Sequence, residues 1–137
     1  MRFFLILMLS SCWLNTEAQT IDSSDYWLRT ELYFGLSKPN GGKVSKGKWN
    51  KFVKAEITPR FPNGSTTFSA TGYWLDRQTK QTIKEPSRVV VICYQQSEKI
   101  EKDKALQAIT KKYIELFDQQ AVMRVDGLVK IQFYSPE

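Results

Sequence analysis

The sequence predicts an α+β fold in which four strands and two helices share one hydrophobic core. Several short segments alternate apolar and polar residues with a period of two, which indicates half-buried strands. Two longer segments carry a single apolar stripe with helical spacing. At 137 residues, the chain has apolar area for one compact core, so we expect a single domain.

The first strand is predicted over residues 30–36, because its apolar side chains alternate at period two. Turn formers follow, and Ser45 can then cap a helix that ends at Pro59. The inward stripe of this helix is Trp49, Phe52, Val53 and Ile57.

A hairpin is predicted next. Residues 65–75 are rich in threonine and aromatic side chains and favour a second strand, and residues 76–80 are polar enough for the tip. The third strand is predicted over residues 83–94, with Pro86 marking a bulge or an edge. Its continuous apolar run, residues 89–94, predicts that both faces of this strand are covered.

The second helix is predicted to be capped by Ser97 and to end at residues 119–120. Its apolar stripe comprises Ala105, Ile109, Tyr113, Leu116 and Phe117. Its charged face comprises Glu98, Lys102, Lys104 and Lys111. The last strand is predicted over residues 122–133, with an irregularity at Gly127.

This order of elements, βαββαβ, is the ferredoxin-like split βαβ pattern. It predicts a four-stranded antiparallel sheet with two helices on one face. The domain is predicted to cover residues 30–137, and residues 19–29 are predicted to be an N-terminal tether.

Residues 1–18 are predicted to be a signal peptide, because a positive start is followed by an unbroken apolar run. Cleavage after Ala18 would place the mature N-terminus at Gln19. Alternatively, residues 9–12 resemble a bacterial lipobox, which would make Cys12 a lipidated N-terminus. Both alternatives predict export. Cleavage after Ala18 predicts a periplasmic or secreted protein, and lipidation of Cys12 predicts a protein anchored by lipid in the envelope. No stretch approaches the roughly 20 apolar residues of a transmembrane helix.

Five different short motifs lie along the predicted domain, at residues 32–36, 56–64, 72–74, 85–89 and 122–126. Together they resemble the exported bacterial family called domain of unknown function 3574, over residues 31–134. The most specific part of this resemblance is the stretch Ile57-Thr58-Pro59-Arg60-Phe61-Pro62. The resemblance implies a small secreted bacterial domain and brings no known activity or catalytic residue. The turn at residues 76–80 departs from the family by lacking an expected glycine.

The composition excludes several chemistries. The chain has no histidine, which removes imidazole catalysis and the commonest metal ligand. Its cysteines are Cys12 and Cys93, and Cys93 is predicted to be a small buried hydrophobe within an apolar run. No phosphate-binding loop, dinucleotide fingerprint or Gly-x-Ser-x-Gly elbow is present. We therefore predict no cofactor and no metal site, and we assign no catalytic residue.

The net charge of +6 suggests an acidic partner. A ferredoxin-like sheet can stack RNA bases, but the predicted export argues against a nucleic-acid partner, and the aromatic and basic signature of the stacking strand is absent. We therefore predict no nucleic-acid partner, and instead an anionic surface, of lipid or polysaccharide, or a small anionic ligand.

The candidate site residues are Arg60, Tyr73, Trp74, Glu85, Arg88 and Arg124. In the structural interpretation, the arginines and Glu85 form ion pairs at the sheet edge, and the two aromatic residues pack in the core. In the functional interpretation, the arginines hold an anionic ligand on which Tyr73 or Trp74 packs.

Three functions are consistent with these observations. The first is a non-catalytic exported domain that binds a ligand or partner. The second is a cofactor-free enzyme with a cavity between sheet and helices or within a homodimer that pairs through the sheet. The third is a lipid-anchored structural protein of the envelope. A closed cavity lined by Arg124, Tyr113 and Glu85 would favour the enzyme, and a filled core would favour the binding domain.

Overall fold

The computed structural model describes residues 26–136. Its strands are β1 (Trp27–Gly35), β2 (Thr66–Leu75), β3 (Thr82–Gln95) and β4 (Met123–Val129). They form one antiparallel sheet in the order β2-β3-β1-β4. Helix α1 (Lys46–Phe52) continues as a wider π-helical turn (Val53–Ile57), and helix α2 (Lys99–Phe117) follows a 3-10 turn (Gln96–Glu98). The predicted ferredoxin-like fold is confirmed, whereas the predicted signal peptide, Cys12 and most of the predicted tether lie outside the described residues.

Two predicted strand boundaries are wrong. Strand β1 begins at Trp27, so the last residues of the predicted tether, 27–29, belong to the sheet. They are extended because β1 is central and has a partner strand on each side. Strand β4 ends at Val129, which lies opposite Trp27, the first residue of β1, so the residues after Val129 have no strand partner among the described residues. Gly127 pairs regularly with Arg29, without the predicted irregularity.

The helices cover one face of the sheet, and aromatic side chains fill the space between the two layers. The ring centroid of Phe34 lies 5.3 Å from that of Trp49, 6.0 Å from that of Phe52 and 4.6 Å from that of Tyr113. The edge-to-face geometry is the favoured one for aromatic pairs. The predicted inward stripe of α1 is confirmed, and its capping residue Ser45 accepts a hydrogen bond from the Lys48 backbone N–H.

Helix α2 differs from its prediction in three details. Ser97 does not cap it, and reciprocal hydrogen bonds between Gln95 and Glu98 cap instead the 3-10 turn that precedes the helix. Leu116 is exposed, and Lys102 from the predicted charged face is buried. The Lys102 ammonium lies 5.7 Å from the centroid of the Phe61 ring and pairs with glutamates of the same helix, so its stem covers apolar surface. Among the described residues, no helix is long and apolar enough to cross a membrane.

The second face of the sheet is open in the described part of the chain. Val91 and Cys93, which point away from the helices, are only partly buried, so the predicted covering of both faces of β3 is wrong. Val89 is nevertheless fully buried on this open face, because Tyr33 and Phe68 of the neighbouring strands lie directly opposite it. Val89 is therefore buried by side chains of the neighbouring strands and not by the second covering layer that the sequence pattern indicated.

The β2–β3 hairpin extends beyond the rest of the sheet. Pairing of β3 with β1 stops at Ser87, and the Pro86 carbonyl accepts a last hydrogen bond from the Leu36 N–H. The first residues of β3 therefore pair with β2 alone, so Pro86 lies at an edge, as predicted. At the tip, Lys80 has a φ of 58° and occupies the left-handed conformation that the expected glycine would favour.

Candidate functional site

A cleft of about 710 Å³ lies on the open face, where the hairpin leaves the sheet. The β2 and β3 residues Gly72, Tyr73, Trp74, Ile83, Glu85 and Ser87 form one side. Tyr33 and Gly35 of β1, the following residues 37–39, and residues 119–121 with Met123 form the other side. The cleft therefore results from the unequal lengths of neighbouring strands.

Two oxygen atoms converge at Gly35, inside this cleft. A Cβ atom at Gly35 would lie 2.6 Å from Glu85 Oε1 and 3.3 Å from Gln119 Oε1, so only glycine lets both side chains approach the strand. The Gln119 amide nitrogen donates to the backbone carbonyls of Ser37, at 2.8 Å, and Phe117, at 3.2 Å. Its oxygen is thereby turned toward the point that the Glu85 carboxylate also approaches.

The Glu85 carboxylate has no hydrogen bond or ion pair among residues 26–136, although the residue is partly buried. A carboxylate and an amide oxygen are both acceptors, so neither can satisfy the other. The arrangement creates a site of negative potential that a hydrogen-bond donor or a cation would complement.

The charge of Glu85 also acts on the layer below. Tyr113 of α2 is fully buried, and its hydroxyl donates to the Gly35 carbonyl at 2.7 Å. Burial, and secondarily the negative charge of Glu85, raise the pKa of the Tyr113 phenol far above its ordinary value. The phenol therefore remains neutral and holds the strand backbone beneath the cleft.

The open face also carries a polar network that sequence analysis did not anticipate. Glu31 accepts hydrogen bonds from the Tyr33 hydroxyl at 2.6 Å and the Arg29 guanidinium at 2.9 Å. The Tyr33 hydrogen bond, together with Arg29, lowers the pKa of the Glu31 carboxyl, and the same bond raises the pKa of Tyr33. This network fixes the Tyr33 ring, which forms part of the cleft wall.

The structure does not bring the three predicted arginines together. Arg60 pairs with Glu56 at 2.9 Å at the end of the first helical segment. Arg124 pairs with Asp103 at 2.5 Å and with Asp126 at 2.9 Å on the helix-covered side of β4. These contacts agree with the structural interpretation, although none of them involves Glu85.

Arg88 also lies on the helix-covered face of β3, where its guanidinium donates to the Ser69 hydroxyl. None of the three arginines lines the cleft.

Of the other predicted site residues, Glu85 and Trp74 meet at the cleft, and Tyr73 borders it. Trp74 is 51% exposed and Tyr73 65% exposed, so the expectation that they pack in the core is wrong. They belong to the protruding hairpin, beyond the reach of the helices. The Tyr73 ring lies on the other face of the hairpin, with the Lys84 ammonium 5.9 Å from its centroid.

Tyr33, Gly35 and Gln119 line the cleft but are not among the site residues predicted from the sequence. A glycine inside a strand is a known sign of close approach, so Gly35 could have indicated the position of the site. The role of Gln119 has no such sign, because it depends on where the loop after α2 meets the end of β1. No group of three or more histidine, cysteine, aspartate or glutamate residues suited to a metal ion is present within the described chain.

Fold and site together define an α+β domain of ferredoxin-like topology with a cleft on the open face of its sheet. The chain belongs to the family described as "Protein of unknown function (DUF3574)", whose model matches residues 29–133.

Two similar solved structures are those of a phage SAM lyase. The structure in complex with S-methyl-5'-thioadenosine has a TM-score of 0.55 and 16% sequence identity, and the match covers 80% of this chain and 93% of the lyase. The apo structure has a TM-score of 0.50 and 16% identity, with 81% and 94% coverage. At this identity the likeness shows a shared fold. Comparison with curated proteins gives no match.

Proposed function

We propose that the protein is a binding domain for a small organic cation that carries N–H donors, such as a protonated amine. The observation that carries this proposal is the convergence of Glu85 and Gln119 oxygens at Gly35. A partly buried carboxylate loses hydration and gains most from a charged donor. An ammonium group has three donors and no acceptor, so it can bond to both oxygens at once.

The walls of the cleft suit the remainder of such a ligand. The Tyr33 and Trp74 side chains line it, and aromatic rings favour both apolar groups and cations. Lys38 also lines it and can pair with an anionic group of a zwitterionic ligand. The volume of about 710 Å³ lies in the range of small-molecule sites.

Two further observations support binding of a cation by a non-catalytic domain. Aromatic rings fill the space between sheet and helices, which is the arrangement expected of a binding domain rather than an enzyme with a closed cavity. The arginines on which an anionic ligand would depend lie outside the cleft. The local charge therefore favours a cation, despite the net charge of +6.

Calorimetric titration with phenethylamine and with phenethyl alcohol tests the proposal, because the two probes share a ring and differ in charge. We expect the amine to bind at least about tenfold more tightly, since a charge-assisted hydrogen bond contributes about 1.5–3 kcal/mol. Glu85→Gln should abolish this preference. Equal binding of the two probes, or amine binding unaffected by Glu85→Gln, would contradict the proposal.

Two variants sharpen the test. Gly35→Ala keeps the carboxylate but places a methyl group 2.6 Å from Glu85 Oε1, so the flexible side chain must move away, and amine binding should weaken. Glu115→Gln removes an exposed carboxylate of α2 that forms an ion pair with Lys111, away from the cleft. It should bind the amine as the wild type does, which separates a local effect of Glu85 from the loss of one negative charge.

A second candidate is a cofactor-free enzyme, favoured by the structural likeness to a SAM lyase. SAM carries a sulfonium and an ammonium group and is itself a small organic cation. Incubation of the protein with SAM, followed by chromatography for S-methyl-5'-thioadenosine, tests this candidate. If S-methyl-5'-thioadenosine is released faster than in buffer, and Glu85→Gln loses this release, the protein is an enzyme rather than a binding domain. Release at the rate in buffer would leave binding as the function.

We also propose that the protein acts after export, with Gln19 as its first residue. The support is the apolar run and the small residue at Ala18 in the predicted signal peptide. The intact mass of the exported protein tests it. A mass matching a chain that begins at a diacylated Cys12 would instead identify a lipid-anchored envelope protein.

A further inference from the structure

We infer that the outer edge of β2 pairs with the same edge of a second copy, so that two sheets join into one continuous sheet. In the described chain β2 is an edge strand, because its only strand partner is β3. It is 10 residues long and exposed along nearly its whole length. An exposed strand edge of this kind presents unpaired backbone groups that can accept another strand.

The side chains of β2 do not protect this edge. Its sequence, TTFSATGYWL, has no charged residue and no proline. Natural edge strands are usually shielded by charges, proline or bulges. The opposite edge of the same sheet follows that rule, since β4 carries Arg124 and Asp126 and is followed by Lys130. In a chain that is 25% charged, the neutral β2 edge is therefore the one suited to strand pairing.

The hydrogen bonds of the hairpin show which backbone groups are free. The Asp76 N–H donates to the Gln81 carbonyl, and backbone groups alternate along a strand. Even-numbered residues of β2 therefore bond to β3, and odd-numbered residues direct their N–H and C=O groups outward. The outward residues are Thr67, Ser69, Thr71, Tyr73 and Leu75.

One register uses all of these groups. In an antiparallel pair with a two-fold axis through Thr71, Thr71 lies opposite its own copy and Ser69 lies opposite Tyr73 of the second copy. Any other two-fold register leaves at least one outward residue unpaired. In this register Phe68 of each copy lies opposite Trp74 of the other, which gives two equivalent aromatic pairs. Both residues are exposed on the open face. Aromatic pairs across strands are stabilising, and no like charges meet.

Sedimentation measurements on the purified protein test the dimer. We expect the wild type to form a dimer, and Thr71→Lys to weaken it at least tenfold, because two ammonium groups would meet at the axis. Thr82→Lys is the matched control, since it adds the same charge to the same hairpin but lies on β3. Circular dichroism establishes that both variants are folded. A monomeric wild type, or a dimer unaffected by Thr71→Lys, would overturn the inference.

Cysteine crosslinking tests the register independently. A single Thr71→Cys should form an intermolecular disulfide, because facing residues of a hydrogen-bonded pair have Cα atoms about 5.5 Å apart, within disulfide range. The wild type measures any crosslinking through its own cysteines. Ala70→Cys should crosslink less, because it lies opposite Gly72 of the second copy. A stronger crosslink at Ala70 would overturn the register.

Discussion

The two faces of the sheet are formed by the same four strands but differ in the hydrogen-bond partners of their polar side chains. On the helix-covered face, Thr30 is fully buried and its hydroxyl donates to Asp126 at 2.5 Å and lies 3.1 Å from the Tyr94 hydroxyl. On the open face, Glu85 has no such partner in the described chain. Where helices exclude water, polar groups mostly satisfy one another, although the buried Arg88 Nε has no hydrogen-bond partner among the described residues. A face open to solvent can keep a carboxylate available for a ligand.

The largest expected effect lies in the aromatic core of the covered face. Trp49→Ala and Phe52→Ala should each lower the free energy of unfolding by about 3 kcal/mol or more, because each leaves a cavity among packed rings. Denaturant midpoints measure the loss. Lys51 in the same helix is exposed, so Lys51→Ala should change the free energy of unfolding by less than about 0.5 kcal/mol. Similar effects of all three variants would show that the face of α1 is misassigned.

An intermediate effect is expected at Tyr113, which connects the two faces. Tyr113→Phe removes the hydroxyl that donates to the Gly35 carbonyl and should cost about 1 kcal/mol at neutral pH. The pKa of Tyr113 is raised in the folded state, so its contribution is complete below the pKa of the unfolded phenol and is lost as pH rises toward the folded value. Wild-type stability should therefore fall more steeply above about pH 10 than that of Tyr113→Phe. Parallel curves would contradict this assignment.

The smallest effect is expected at the margin of the covered face. Hydrogen bonds from Lys99 and then Arg124 lower the pKa of the Asp103 carboxyl. A lowered pKa contributes stability above the unfolded pKa, near 4, and the contribution is lost as pH falls through the folded value. Asp103→Asn should cost at most about 1 kcal/mol at pH 7, because the ion pairs are partly solvated. Melting curves between pH 7 and pH 3 should converge for wild type and variant. If the melting temperatures of wild type and variant differ by the same amount at every pH, the effect arises from packing and not from the charge of Asp103.

Most of the fold was predictable from local patterns, and most of the site was not. Strand and helix order follow from periodicity, and Ser45 caps α1 as its position before the apolar stripe suggests. Errors arose where an outcome depends on a neighbour. Lys102 is buried because Phe61, distant in sequence, lies beneath it. The apolar run of β3 indicated a second covering layer, but Tyr33 and Phe68 bury Val89 from the sides.

By itself, the sequence determined the ferredoxin-like order of elements, the inward stripe of α1 and the membership in the family, because each depends on residues close together in the chain or on their order. Only the tertiary structure decided which predicted site residues meet. The register of β1 with β3 places Glu85 over Gly35, and the loop after α2 brings the Gln119 oxygen to the same point. The same strand pairing places Arg88 opposite Phe34 and Arg124 opposite Leu32, on the helix-covered face and away from Glu85, because successive residues of a strand point to opposite faces of the sheet.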